Sequence, residues 1–261
     1  MFFAALLFVV APSCTPAVTL EDDARAVRKQ FVALAEKQDR AAVLALWREH
    51  PGDVLGAIDA DLEGSLRLRE KAAEKSAEPD LTAIAALHTR ALWGAHIAAE
   101  ASGHPLIVDY ASSFVGWNAE QQKQFRDGQK AYGRAAKALA AGDAKAALEA
   151  GQECLQLTGP LGDWWGSAMG CDAIAAAQAQ LGNHVKALES AAFARTICHD
   201  LGLLGDEYGA LQRMLDACRA LERTERAKSA CDSALALAKQ LGDDAGVKRL
   251  TETRAALDAK K

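Results

Sequence analysis

The 261-residue sequence has little of what breaks helices or favours strands. Proline occurs only 6 times, and aromatic residues make up 6% of the chain. Runs of β-branched residues are almost confined to residues 8–10 and 106–108, whereas alanine, the best helix former, is abundant throughout. The composition therefore predicts an all-α protein, and the 50% share of apolar residues excludes a mainly disordered chain.

Concentrated positive charge is also missing. The 30 Lys and Arg residues are scattered among 35 Asp and Glu residues, and the net charge is −5. A nucleic-acid groove requires clustered cations that neutralise phosphates. We therefore expect no nucleic-acid partner.

Motifs of catalysis and metal binding are absent from the sequence. It contains no G-x-S-x-G, Walker A, Rossmann glycine, H-E-x-x-H or C-x-x-C pattern. His88 and His96 are separated by roughly 12 Å along a predicted helix, too far to share one metal ion. Acidic pairs fall at predicted helix starts, where the helix dipole favours them. We expect no enzyme activity, metal, cofactor or small-molecule substrate.

Residues 1–11 form an apolar segment that is too short for a membrane span, which needs ~20 residues. Its length matches the apolar region of a signal peptide. Residues 11–14 resemble a bacterial lipobox ending in Cys14, the residue that would be lipidated, whereas residues 15–17 suit ordinary signal peptidase. A buried N-terminal segment is the third interpretation. We predict a leader over residues 1–18 and export to the cell envelope, as a lipoprotein or otherwise by secretion.

The region 19–117 is predicted to contain about four helices, because Pro and Gly interrupt the helical periodicity between them. Asp39 and Asp80 are predicted to begin two of these helices, and Asn118 to cap the first helix of the following region. The segment 106–117 fits either a short helix or an extended linker. Whether this region consists of degenerate repeats of the same kind as those in the region 118–261 stays open.

The region 118–261 contains an internal repeat of 40 residues. Self-similarity at a fixed period of this length indicates stacked supersecondary units. The recurring positions are Leu161-Gly162, Leu201-Gly202 and Leu241-Gly242, then Gly142-Asp143 and Gly182-Asn183, with Glu222-Arg223 in the third place, and Ala147, Ala187 and Ala227.

These repeats resemble the tetratricopeptide family in its longer form, found in kinesin light chains. The resemblance implies a right-handed α–α solenoid of helix pairs over 118–261, with small residues where the two helices of a pair cross. Leu215 departs from that pattern and predicts a wider crossing in the third unit. The matching small residues are Ala135, Ala147, Cys154, Ala175, Ala187, Ala194, Ala227 and Ala234.

The same register places most of the cysteines after Cys14 at packing positions. Free cysteine behaves as a small hydrophobic residue. We predict core packing for Cys154, Cys171, Cys218 and Cys231 rather than disulfides or reactive thiols, and we assign no role to Cys198.

The resemblance also implies that the first helix of each pair lines a concave partner-binding surface. For the adjacent Trp164 and Trp165 we expect one core residue and one interface anchor, because Trp is enriched in binding hot spots. The alternative is that neighbouring segments of the same chain occupy this surface. The candidate positions are Gln129, Tyr132, Leu139, Met169, Asp172, Gln212, Asp216 and Arg219.

These observations predict a non-enzymatic interaction scaffold that binds a protein or peptide and meets a membrane only through a lipid anchor. The alternatives are an enzyme with a site in the N-terminal helices and a structural component of the envelope. A deep cavity with converging His, Asp or Glu side chains would favour the enzyme, and an exposed concave apolar stripe would favour the scaffold.

Overall fold

The computed structural model describes residues 17–259, which form twelve α-helices and one 3-10 turn and contain no strand. The all-α prediction is therefore confirmed. Cys14 and nearly all of the predicted leader lie outside the described residues, and no described helix combines the length and hydropathy of a membrane span. The helices are α1 (Ala17–Glu36), α2 (Arg40–Glu49), α3 (Pro51–Glu74), α4 (Leu81–Ser102), α5 (Leu106–Gly116), α6 (Ala119–Ala140), α7 (Ala144–Thr158), α8 (Trp164–Gln180), α9 (His184–Leu201), α10 (Leu204–Ala220), α11 (Thr224–Gln240) and α12 (Asp244–Ala259).

The described part of the N-terminal region contains four helices as expected, α1 to α4, and a fifth. The additional helix is α5, in the segment that fitted either a helix or a linker. Pro105 precedes it, and proline is compatible with a helix start because no helical partner awaits its missing N–H. Burial of Tyr110 and Phe114 along one side then favours the helix over an extended chain.

The predicted helix starts are confirmed by their capping hydrogen bonds. Asp39 and Asp80 each accept a bond from the backbone N–H three residues on, at 3.1 and 2.9 Å. Asn118 forms a reciprocal capping box with Gln121 at the start of α6. These caps fix where each helix begins.

Helices α6 to α12 follow one another as packed neighbours. Each contacts the next along the chain, and α8 also contacts α6 and α10. The turns between paired helices place Gly142, Gly182 and Glu222 at positive φ, and Gln38 before α2 has the same turn conformation. The small residues predicted at the helix crossings are all buried, as their positions required: Ala135, Ala147, Cys154, Ala175, Ala187, Ala194, Ala227 and Ala234.

The N-terminal helices and the first repeats share one apolar core. That core joins side chains of α1 to α5 with side chains of α6, α8 and α9. The Trp117 ring lies 4.4 Å from Phe114 and 5.0 Å from Phe125, measured between centroids. Its indole N–H donates to the Leu161 carbonyl at 2.9 Å. The junction between the two regions is therefore packed and hydrogen-bonded.

The five described cysteines are free and buried, which confirms the packing prediction. Burial raises the pKa of Cys154 and of Cys198 to about 12 and that of Cys171 to about 11. Because the thiolate is the reactive form, these thiols are poor nucleophiles at neutral pH. Cys198, which had no predicted role, belongs to the shared core.

Candidate functional site

Two of the predicted partner-binding positions, Tyr132 of α6 and Asp172 of α8, lie near one another, and Arg213 of α10 contacts Asp172. The Arg213 guanidinium donates from Nε and Nη2 to the two carboxylate oxygens of Asp172, at 2.5 and 2.9 Å. Burial, followed by the charge of Asp172, raises the pKa of Tyr132. Tyr132, Asp172 and Arg213 thus form a cluster across three helices, and we call the surface of α6, α8 and α10 that carries this cluster and the predicted positions Gln129 and Asp216 the first-helix face.

The remaining predicted positions have different surroundings. Asp216 and Arg219 form an exposed ion pair at 3.7 Å on α10, and Gln212 lies partly buried one turn before Asp216. Leu139 packs against a small apolar cluster that includes Ala135. Leu139 therefore contributes to packing between helices.

Trp164 and Trp165 are both partly buried against the shared core. The Trp164 indole N–H donates to Asp109 of α5 at 2.7 Å. Trp165 instead lines a cavity together with Met169. The two residues thus face different surroundings, as their separation of about 100° around a helix requires.

Helix α3 covers the beginning of the first-helix face. Glu63 accepts from Gln129 at 2.7 Å and from Arg126 at 2.8 Å, and Glu70 accepts from Arg126 at 2.7 Å. At this end, helix α3 of the same chain therefore occupies part of the predicted partner-binding surface. It does not extend to Tyr132 or Asp216, which remain exposed.

A cavity of about 200 Å³ opens where α3 and α5 meet α6 and α8. Four of the predicted positions line it: Gln129, Tyr132, Trp165 and Met169. Three carboxyl groups converge there, and we call it the acidic cavity. Its other lining residues are Asp59, Glu63, Tyr110, Phe125, Gly128, Cys154, Thr158, Asp163 and Gly166.

Asp59 and Tyr110 form one wall of the acidic cavity. The Tyr110 hydroxyl, which is fully buried, donates to the Asp59 carboxylate. Desolvation raises the pKa of Asp59 to about 6, the hydrogen bond from Tyr110 opposes that rise, and the charge of Glu63 adds to it. Burial and the same carboxylate raise the pKa of Tyr110 well above its usual value.

Asp163 forms another part of the wall and also caps α8. Its Oδ1 accepts the Gly166 N–H at 2.9 Å, and the residue is 2% exposed. Desolvation raises the pKa of Asp163 to about 7, and the charges of Asp59 and Glu63 act in the same direction. At neutral pH this carboxyl therefore holds its proton for a substantial fraction of the time.

The sequence-based reasoning did not identify the carboxyl groups of this cavity. Asp163 belongs to a recurring Gly-Asp phrase, Gly162-Asp163 followed by Gly166, that predicted no site, and Tyr110 lay in the segment without a clear prediction. A usable signal was present at Asp59, which lies four residues after Leu55 and three before Leu62 of α3, and at Glu63, which lies three before Leu66. Acidic residues along the apolar side of a helix indicate buried carboxyl groups.

A second polar cluster joins the turn after α4 to the end of α9. His104 Nδ1 lies 3.4 Å from Asp200 Oδ1, and the centroids of the His104 and His199 rings are 5.8 Å apart. Each of these residues offers a ligand atom within 4.8 Å of the others, a His and carboxylate set that suits zinc. His104 is far from His199 and Asp200 in the sequence, and the sequence analysis did not predict that they meet.

Searches of protein-family models and of curated proteins find no match to this chain. What this chain does must therefore be argued from its own geometry. The two features available for that argument are the first-helix face and the acidic cavity at its end.

Proposed function

We propose that this chain is a non-enzymatic interaction scaffold of the tetratricopeptide type that binds a segment of a partner protein along its first-helix face. Three features support the proposal: helix pairs stacked in chain order, buried small residues at the crossings, and turns repeated every 40 residues. In this proposal α6 to α12 form a right-handed solenoid. The region 19–117 then caps its first repeat.

The observation that carries the proposal is the row of side chains across α6, α8 and α10. Exposed Tyr132 and Asp216 lie at either end of the Asp172–Arg213 pair. Aromatic and charged groups together suit an extended or helical peptide with apolar anchors and polar contacts. We further propose that the chain is exported and held at the envelope by lipid on Cys14.

Site-specific photo-crosslinking in the native host tests this proposal. A benzoylphenylalanine residue replaces Tyr132 or Asp216 on the first-helix face, or Glu189 or Glu225 on α9 and α11 as exposed controls. We expect a discrete crosslinked protein from the first two positions only. Equal crosslinking from all four, or none from Tyr132 and Asp216, would contradict the scaffold. A Cys14→Ser variant that stays in the membrane fraction would contradict the lipid anchor.

The acidic cavity favours a second candidate, acid–base catalysis. Asp59 is partly buried with a pKa of about 6, Asp163 is buried with a pKa of about 7, and neighbouring carboxyl groups with raised pKa values are a recurring feature of catalytic sites. This candidate predicts turnover of a bound small molecule that is lost in Asp59→Asn and Asp163→Asn. The crosslinking experiment distinguishes the enzyme from the scaffold, because an enzyme acting on a small molecule would not require a partner protein bound along α10.

A further inference from the structure

Two carboxyl groups of the acidic cavity, Asp59 and Asp163, differ from the buried carboxylates elsewhere in the described residues, because neither is in an ion pair with Lys or Arg, whereas the third, Glu63, contacts Arg126. Asp61, which is 1% exposed, is held by both nitrogens of an Arg90 fork at 2.6 and 2.7 Å. Glu207 is 4% exposed, and its Oε1 lies 3.3 Å from Arg195 Nε and its Oε2 3.1 Å from His199 Nδ1. Elsewhere, then, this protein compensates buried negative charge with a cation, as buried charge generally requires.

No Lys or Arg side chain lines the acidic cavity within the described part of the chain. Arg126, which does not line the cavity, is bonded to Glu63 and to Glu70. Its Nη1 donates to Glu63 Oε1 and to Gln129, each at 2.8 Å. Arg126 is therefore bonded to two residues of the cavity wall and to Glu70, and within the described residues it donates no hydrogen bond to Asp59 or Asp163.

Two carboxylate oxygens at the cavity have no hydrogen-bond donor. Glu63 is 8% exposed, and its Oε2 is buried without a hydrogen bond, although it lies 2.8 Å from Arg126 Nη1. Asp163 receives its single described hydrogen bond through Oδ1, which leaves Oδ2 without one among the described residues. Glu63 Oε2 is thus a buried oxygen without a hydrogen bond, which is costly, so the site is suited to a ligand that supplies N–H groups.

The rest of the lining is aromatic and apolar. Phe125, Tyr132, Trp165 and Met169 surround the carboxyl groups. Aromatic faces attract cations and also pack against aliphatic stems. The volume of about 200 Å³ lies below the roughly 300–1,000 Å³ typical of sites for drug-sized ligands. It suits a group of side-chain size.

We propose that the acidic cavity binds the cationic end of an arginine or lysine side chain presented by the partner segment, with Asp163 and Glu63 accepting its N–H groups and Tyr132 and Trp165 contacting its stem. This inference rests on the proposed scaffold function and names a chemical anchor for the partner. The cavity lies at the α3 end of the first-helix face, so a segment lying along α6, α8 and α10 reaches it with one residue.

Binding of a cation in the acidic cavity should release protons from its carboxyl groups. Because desolvation raises the pKa values of Asp59 and Asp163, a cation that enters the cavity lowers them again and releases protons near neutral pH. Binding is therefore tighter at pH 8 than at pH 5.5. The titratable and charged groups that face the cavity or its rim are Asp59, Glu63 and Arg67 of α3, Tyr110 of α5, Arg126 and Tyr132 of α6, Cys154 of α7 and Asp163 before α8.

The test uses the full chain and three capped amino acids: N-acetylarginine amide, N-acetyllysine amide and N-acetylcitrulline amide. Citrulline has nearly the shape of arginine without its charge. The readout is the indole N–H resonance of Trp165, assigned by its disappearance in Trp165→Phe. We expect saturable shifts with the arginine or lysine probe and at least tenfold weaker binding of citrulline. Equal binding of citrulline, or no saturable shift with either cation, overturns the proposal.

A matched pair of variants tests the site itself. Asp163→Asn keeps an oxygen that can cap α8 but removes the charge, whereas Asp243→Asn makes the same change at the start of α12. We expect at least tenfold weaker binding only in the first, and calorimetry in two buffers should show less proton release in Asp163→Asn than in the wild type, because only Asp59 still contributes. Unchanged binding by Asp163→Asn overturns the proposal. A partner crosslinked at Asp216 without probe binding would refute the cation site alone, and probe binding without crosslinking would refute the scaffold alone.

Discussion

The starts of α8 and α12 have the same N-terminal cap in different surroundings. Asp163 accepts the Gly166 N–H and Asp243 accepts the Gly246 N–H, both at 2.9 Å. A Cβ at either glycine would overlap the capping carboxylate. The two caps are 80 residues apart, two repeat lengths. Local sequence therefore determines the cap in both places.

What differs is the second carboxylate oxygen. Asp243 Oδ2 accepts the Tyr208 hydroxyl at 3.0 Å. Asp163 Oδ2 receives no comparable donor among the described residues and lies beside the acidic cavity. The same cap therefore has different energetic consequences at the two helices. At α12 the Asp243 carboxylate is stabilised by Tyr208, whereas at α8 desolvation destabilises the charged form of Asp163.

The largest expected effect that distinguishes the two caps is on stability at alkaline pH. The pKa of Asp163 in the folded state, about 7, lies above its unfolded value. The folded state thus binds an extra proton between about pH 4 and pH 7, and stability falls as pH rises through that window. Asp163→Asn removes this loss. We expect it to be more stable than the wild type by about 2 kcal/mol at pH 8 and similar to it at pH 4.

Urea unfolding followed by circular dichroism at both pH values measures this difference. The control is Asp243→Asn, which weakens the bond from Tyr208 and should lower stability by about 1 kcal/mol at pH 8. If both variants were destabilised equally at pH 8, the strain assigned to Asp163 would not exist.

The next effect concerns the tyrosines that donate to buried or capping carboxylates. Tyr110→Phe removes the single side-chain donor recorded for Asp59 within the described residues. We expect a loss of about 2 kcal/mol at pH 8, where Asp59 is charged, and a smaller loss at pH 5, where the carboxyl holds its proton. Tyr208→Phe should cost about 1 kcal/mol, because Tyr208 lies nearer the surface than Tyr110. Thermal unfolding at the two pH values checks both, and a pH-independent loss in Tyr110→Phe would contradict the assignment.

How far the sequence predicts this structure depends on the distance over which each interaction acts. The caps at Asp39, Asp80 and Asn118 were predicted because neighbouring residues determine them. The buried alanines of the repeats and the first-helix positions Tyr132 and Asp172 were expected from the resemblance to the tetratricopeptide repeat. Repetition transfers a position from one unit to the next.

The acidic cavity was not predicted, because its walls come from separate parts of the chain. Asp59 and Tyr110 belong to α3 and α5, outside the repeat, and meet Asp163 only through tertiary packing. The α5 helix itself was ambiguous, since its 11 residues make a short helix whose stability depends on burial. The recurrence of Asp163 and Gly166 as Asp243 and Gly246 was a further signal that the sequence reasoning missed.

A smaller effect is expected at the turns that join paired helices. Gly142 has φ 74° and Glu222 has φ 55° at equivalent turns. A residue with a Cβ is strained by roughly 1–2 kcal/mol in this region. We therefore expect Glu222→Gly to raise the free energy of unfolding by about 1 kcal/mol and Gly142→Ala to lower it by a similar amount. Urea denaturation of the two variants measures the effect, and shifts of the same sign would show that the turns are not equivalent.

The smallest effect is expected at the adjacent tryptophans of α8. Trp164→Phe removes the hydrogen bond to Asp109, which is solvent-exposed, so we expect a loss of about 0.5 kcal/mol. Trp165→Phe keeps an aromatic ring at the cavity but weakens its attraction for a cation, because indole is the strongest of the aromatic faces. Calorimetric titration with N-acetylarginine amide should therefore show weaker binding by Trp165→Phe and unchanged binding by Trp164→Phe. Equal binding by the two variants would mean that the cavity recognises charge through its carboxylates alone.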